Sequence, residues 1–318
     1  MKLFFDGATD TGLVRSANQD AYYLDPEGRF FIVADGMGGH AGGEEASRLA
    51  TDAIRVHLES RWLSADSSAE LLKAALLKAN GAIIQDQLNH PQRSDMGTTA
   101  VTVIFRSAQS ESAERASAES ASTEPESTEP ESTEPESTQP ESIEPKDIEL
   151  KNTEPESAKA ESTKPKNALT QTAAPPKPPL EPWCAHVGDS RLYRLRGATL
   201  EQITEDHTWV NKASKLGVIT VDQVKTHPWR HVLSQCLGRP DLNEISVQPI
   251  EFRLGDRLLM CSDGLTEEVS DHLIAELLKT TRACEKVTLK LIDSAKDNGG
   301  RDNITVIVIA TDLQEPEA

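Results

Sequence analysis

Four aspartates stand where apolar runs give way to small or turn-forming residues: Asp35 before Gly36, Asp189 before Ser190, Asp263 before Gly264 and Asp302 before Asn303. Strand ends are where a rigid scaffold presents side chains to a cleft. A single Asp-Gly step is ordinary turn chemistry, but four such aspartates at the ends of core-like runs carry more weight. If they converge, like charges at close range raise one another's pKa, and all can stay ionised together only with cations among them. Oxygen donors without clustered Cys or His favour Mg2+ or Mn2+ over Zn2+. The four cysteines, Cys184, Cys236, Cys261 and Cys284, have no metal-ligand spacing.

The elements that must position these aspartates are readable from periodicity. Short β-rich runs are expected at 30–34 (FFIVA), 98–105 (TTAVTVIF), 183–188 (WCAHVG), 191–195, 245–250, 257–261 (RLLMC) and 303–310 (NITVIVIA). Ala46, Leu49, Ala50, Ala53, Ile54 and His57 recur at helical spacing. So do Leu72, Ala75, Leu76, Ala79 and Ile83, after a Ser67…Glu70 capping-box pattern. Two more helices are expected near 270–279 and 284–296. Strands, two helices, many strands, helices and a last strand do not alternate as βαβα, so the expectation is an α+β layered fold with largely antiparallel sheets.

The chain of 318 residues has a formal net charge of −19, which disfavours general binding to nucleic acid or anionic membranes. The charge is uneven: residues 107–182 hold 17 acidic and 7 basic side chains, 12 of the 18 prolines and no Phe, Trp or Tyr. Within them prolines recur every five residues, at 125, 130, 135, 140 and 145. Such proline spacing breaks helices, and there is no apolar face to bury, so this segment is expected to be disordered. It lies between two strand-like runs, as a lengthened loop inside one discontinuous domain, 1–106 plus 183–313, with 314–318 a short tail. Closure entropy grows only logarithmically with loop length, so a folded domain tolerates the insert. The apolar start, Met-Lys-Leu-Phe-Phe, is short for export, no run approaches the roughly 20 apolar residues of a membrane span, and four cysteines without ligand spacing or a secretory signal suit a reducing cytoplasm.

Seven strings now bear comparison with known proteins: VRSANQD (14–20), FIVADGMGGHAGG (31–43), DMGTTA (95–100), HVGDSRLYR (186–194), TEDHTWV (204–210), CSDGL (261–265) and GGRDNITV (299–306). In this order and spacing the chain resembles bacterial metal-dependent protein phosphatases of the protein phosphatase 2C (PPM) family, over nearly its whole length except the insert. More narrowly, DGMGGHAGGEEASRLA and HPWRHVLSQCLG resemble free-standing cyanobacterial members acting on the phosphorylated signalling protein PII. The resemblance implies a four-layer αββα sandwich of two antiparallel sheets flanked by helix pairs, with two Mg2+ or Mn2+ ions, and a position for a third, at one end. It implies that Asp35 bridges both ions and that the Gly36 carbonyl joins it. Asp263 and Asp302 would complete the first ion's ligands, Asp20 would hold a metal-bound water, and Asp189 with Asp263 would form the third position. Arg15 would grip the substrate phosphate with a two-donor fork.

The implied reaction is hydrolysis of phosphoserine and phosphothreonine on proteins by direct attack of a water or hydroxide shared by two cations, without a phosphoenzyme. No Cys-x5-Arg nucleophile motif is present, and Cys261 reads as core. Eukaryotic relatives carry a histidine at the position of Met37, whose thioether cannot donate a proton. His40 and His207 are the candidate proton donors, each with a structural or surface role as the alternative. The glycines at 36–43 have neither the G-x-G-x-x-G register nor a Walker lysine, so bending the backbone around the metals is the expectation. An opposing Ser/Thr kinase and a monomeric state are implied as well. The rival readings are a phosphoprotein-binding scaffold that keeps the fold and a phosphatase of small phosphoesters.

Overall fold

Strands 30–37, 100–107, 257–261 and 304–311 are apolar at nearly every position, although antiparallel sheets commonly alternate because one face meets water. The computed structural model, which describes residues 2–39, 42–107, 180–224 and 226–311, gives the reason: both faces of these strands are covered. One sheet has the order β1 (Leu3–Asp10), β11 (Ile304–Thr311), β10 (Arg257–Cys261), β7 (Arg191–Arg196), β8 (Thr199–Gln202). The other runs β2 (Asp20–Leu24), β3 (Phe30–Met37), β5 (Ala100–Ser107), β6 (Leu180–Val187), β9 (Ser246–Pro249), with the short β4 (Gly97–Thr98) pairing β3. All pairings are antiparallel.

Side-chain parity sorts the layers. Phe31, Val33, Val101, Val103, Leu258, Met260, Ile307 and Ile309 fill the space between the sheets. Their neighbours Phe30, Ile32 and Ile104 meet helices α1 (Gly42–Arg61) and α2 (Ser68–Asn89). On the far side Leu259, Cys261, Val306 and Val308 pack with residues of α6 (Asp271–Thr280) and α7 (Cys284–Asp297). The result is the expected αββα sandwich. Of the smaller helices, α3 (Trp209–Lys215) and α4 (Val221–Val224) lie between β8 and β9, and α5 (Asp263–Thr266) follows β10.

The capping box at α2 is present: Glu70 N–H donates to Ser67 Oγ at 3.3 Å and Ser67 N–H to the Glu70 carboxylate at 3.0 Å. Buried Arg106, near the end of β5, donates to the carbonyls of Trp62, Ser64 and Asp66, fastening the α1–α2 turn to the sheet. The sequence reading missed β1, β2 and β8, which are less buried and lack a clean alternation. It merged β4 with β5, which Thr99 separates. No helix among the described residues is long and apolar enough to cross a membrane. His40, the repeat and the tail at 314–318 fall outside the described residues.

Backbone pairing between β5 and β6 continues to Ser107 opposite Leu180, so a tight turn can join them in register. Replacing residues 108–179 with a four-residue turn should leave the domain folded and, through the shorter loop, more stable by up to about 2–3 kcal/mol. Thermal denaturation of the two chains checks this; a loss of several degrees in Tm would give the segment a share in the core.

Candidate active site

Asp35 lies directly opposite Asp20 in the β2–β3 register. Residues facing across an antiparallel pair share one side of the sheet, so two carboxylates are forced together. The Asp35 backbone is clamped from β4 and β5: its N–H donates to Thr99 Oγ1 at 3.0 Å, and its carbonyl accepts the Thr98 hydroxyl and the Thr99 N–H, each at 2.8 Å. Gly36 donates to the Gln19 carbonyl at 3.1 Å. A Cβ on Gly36 would stand 2.0 Å from the Gly43 carbonyl oxygen, so only glycine allows this approach of β3 to the start of α1.

Asp263 follows β10 and opens α5, where a Cβ on Gly264 would lie 2.0 Å from the Asn303 carbonyl. Asp302 precedes β11 and accepts Arg15 Nη2 at 2.6 Å and the Asn303 N–H at 2.8 Å. Asn303 is buried and staples the loop that carries Arg15: its amide donates to the Thr11 and Ala17 carbonyls at 2.9 and 3.0 Å, and its oxygen accepts the Gln19 N–H at 2.8 Å. Asp189 follows Gly188, which holds φ +102° against Thr99, and the adjacent Ser190 hydroxyl is 2.7 Å from Thr99 Oγ1.

Arg15, Asp35, Gly36, Asp189, Asp263 and Asp302 line a single cavity of about 830 Å3, together with Met37, Thr99, His231, Leu233 and Glu267. Asp20 sits beside this wall. Its Oδ2 accepts the hydroxyls of Ser262 at 2.8 Å and Thr305 at 2.6 Å, while its buried Oδ1 has no hydrogen-bond partner. Burial, reinforced by the neighbouring aspartates, pushes Asp35 and Asp263 well above the usual carboxylate range. Burial likewise raises Asp20 to about 6 and, with repulsion from Asp206, Asp189 to about 7. Arg15 is held above its ordinary value by its bond to Asp302. An all-oxygen donor set with an orphaned buried oxygen and too little positive charge fits hard dications.

His207 does not join this group. Its Nδ1 accepts the Gly188 N–H at 3.3 Å, its Nε2 is 3.1 Å from Ser246 Oγ, and its ring stacks on His186 with 4.6 Å between centroids. Burial lowers its pKa, and both nitrogens are engaged behind the site. This corrects the sequence expectation: His207 holds the turn that presents Asp189 and is not placed to give a proton to the cavity. Among the described residues, the histidine that lines the cavity is His231, with Glu267, and sequence reasoning missed both. The spacing of Asp263 and Glu267, one helical turn apart, was the available signal for Glu267; nothing local marked His231.

A sequence profile of the family described as protein phosphatase 2C matches residues 14–299. The chain is 30% identical over 306 residues to the serine/threonine protein phosphatase PstP of Mycobacterium tuberculosis, covering 96% of this chain and 44% of that protein. It therefore spans less than half the length of that relative. It is 27% identical over 316 residues to the serine/threonine phosphatase stp of Listeria monocytogenes, covering 96% and 95% of the two chains. Among solved structures, that of the M. tuberculosis serine/threonine phosphatase PstP/Ppp superposes with a TM-score of 0.69 at 29% identity, covering 98% of this chain and 99% of that one. The catalytic domain of PstP in complex with two manganese ions gives 0.66 at 28%, with the same coverage. With the profile match spanning nine-tenths of its length, this chain belongs to the protein phosphatase 2C family.

Proposed function

We propose that the chain is a metal-dependent serine/threonine protein phosphatase, hydrolysing phosphoserine and phosphothreonine by direct attack of water. The observation that carries this reading is the gathering of half-buried aspartates around one cavity with the Arg15 guanidinium at its mouth. In this reading Asp35, the Gly36 carbonyl, Asp263 and Asp302 hold two Mg2+ or Mn2+ ions, Asp20 takes part through water, and Asp189 with Asp263 serves a third. The orphaned Asp20 Oδ1 suits a water ligand, and the two manganese ions of the solved PstP catalytic domain are in keeping with the count. Ions bound there would supply Lewis-acid activation of the attacking water and neutralise the phosphoryl oxygens.

The protein's own groups do the rest. Thr98, Thr99, Ser262, Thr305 and Asn303 fix the carboxylates and the Arg15 loop from behind, so little reorganisation accompanies reaction. Arg15 is neutralised by Asp302 and becomes free to fork onto a phosphate once Asp302 has another positive partner. Met37 in the wall cannot donate a proton. Phosphoproteins are the substrates in this reading, opposed by a Ser/Thr kinase, and a PII-like signalling protein is the specific candidate on the strength of the strings at 35–50 and 227–238. A monomer working in the cytoplasm completes it.

Asp35→Asn and Asp263→Asn should each abolish release of phosphate from a phosphopeptide, and EDTA should do the same to the native chain. Normal turnover by either variant at saturating Mn2+, or activity that survives EDTA, would remove the metal mechanism. Activity on a small ester with none on any phosphopeptide would favour the small-substrate reading.

The raised pKa values also predict stability. A folded-state pKa above the unfolded value near 4 gives a contribution that is complete below about pH 4 and lost as pH rises through the folded pKa. Without cations the fold should therefore lose stability between about pH 4 and pH 7, the window set by Asp20 and Asp189. Asp35→Asn, which removes one of the repelling charges, should raise the melting temperature in EDTA at pH 8, on the order of 1–3 kcal/mol in stability. Equal melting curves for the variant and the native chain would contradict the charge crowding.

A further inference from the structure

One wall of the cavity carries a second ligand set. His231 stands in the segment between α4 and β9, and Asp263 and Glu267 lie one helical turn apart at α5. One ligand atom from each lies within 4.8 Å of the others, and His231 Nδ1 is 2.5 Å from Glu267 Oε1. Ligands of one transition-metal ion lie about 3.0–3.5 Å apart when adjacent and about 4.4 Å apart when opposite, so the three side chains need only small shifts to share an ion, the His231–Glu267 pair opening slightly. The Asp263 carboxylate has no hydrogen-bond or ion-pair partner among the described residues. Glu267 also adds negative charge against Asp263 and Asp189, which are already crowded. A surface ion pair with His231 answers for one charge; it leaves Asp263 uncompensated.

We propose that His231, Asp263 and Glu267 form a transition-metal site on the cavity wall, one that takes Mn2+ or Zn2+ in preference to Mg2+. The imidazole supplies that selectivity, because Mg2+ keeps to oxygen donors whereas nitrogen ligands suit the later dications. The site differs from the Asp189–Asp263 position in drawing a ligand from the 226–238 segment. After His231 that segment is tied down by Trp209 N–H to the Val232 carbonyl at 2.7 Å, Ser234 N–H to the His207 carbonyl at 2.8 Å, and pairing of Leu233 with Thr208 and of Leu237 with Thr98. A shared ion would add a cross-link from this segment to α5, coupling its position to metal supply. The inference rests on the proposed reading only through the shared Asp263.

The test counts ions on the full-length chain, stripped with EDTA and titrated with Mn2+ by electron paramagnetic resonance and with Mg2+ by calorimetry. His231→Asn and Glu267→Gln should each remove one Mn2+-binding step, or weaken it by at least about tenfold, with Mg2+ binding unchanged. Asp35→Asn should keep that step while losing ions of the main centre. Independently of any variant, the Mn2+-loaded chain labelled with 15N-histidine should show nitrogen coupling in pulsed spectra. Unchanged Mn2+ binding in His231→Asn, equal weakening of Mg2+ and Mn2+, or absence of nitrogen coupling would leave an ion pair only and overturn the proposal. A native chain that binds no Mn2+ at all would sink the two-cation reading as well, whereas Mn2+ binding that survives His231→Asn sinks this inference alone.

Discussion

Repulsion among carboxylates is the constraint around which one end of the sandwich is built. Asp20 and Asp35 are placed opposite each other by strand register, and Asp189, Asp263 and Asp302 reach the same cavity from three other strand ends. In water such groups would part; here Asp35 stands on β3, and Asp189, Asp263 and Asp302 adjoin the ends of β6, β10 and β11, strands covered on both faces, while strand pairing holds Asp20 of the more open β2 opposite Asp35. A buried hydroxyl donor contributes on the order of 1 kcal/mol, whereas desolvating an uncompensated carboxylate costs several. The sandwich therefore holds an end that opposes its own folding unless positive charge enters it. Arg15 supplies one such charge at the mouth, and the remaining deficit leaves a carboxylate-rich cavity short of positive charge.

The groups behind the carboxylates are small and neutral for the same reason. Thr98, Thr99, Ser190, Ser262, Thr305 and Asn303 are all buried, and they fix carboxylates, backbone or loop through hydrogen bonds of uncharged groups. A lysine or arginine in those places would pair with the aspartates and compete with the ions, while an apolar residue would leave carboxylate oxygens unsatisfied. His186 and His207 belong to this support: they are stacked and buried, desolvation pushes His186 down to about 4 and lowers His207, and His207 accepts the Gly188 N–H of the turn that precedes Asp189.

What the sequence disclosed follows the physics of burial. Strands covered on both sides, such as 257–261 and 304–311, stand out as unbroken apolar runs, and α1 and α2 show their buried stripes plainly. β1 and β8 lie at sheet edges, where partial exposure removes the pattern. The four strand-end aspartates were readable from position alone; Asp20 and Arg15 came only by resemblance, since nothing local distinguishes VRSANQD from a polar turn. Histidines were the hardest, because their placement depends on a segment with little periodic structure. His207 and His231 sit in the same irregular stretch between β8 and β9, and only three-dimensional contacts send one behind the site and the other into its wall.

The acidic repeat obeys a related rule through its points of attachment. β5 starts beside Thr99 at the cavity and β6 ends at Val187 just before Gly188, so both strands have their cavity ends together. The repeat enters after Ser107 and returns at Leu180, the opposite ends of the same strands. Eight residues of strand put about 27 Å between those ends and the aspartates, more than two Debye lengths at physiological ionic strength. Inserted at the cavity end, the repeat's sixteen acidic side chains would add to the negative charge already crowded there. Entry at the far end of β5 and β6 keeps the two points of attachment away from the aspartates that line the cavity.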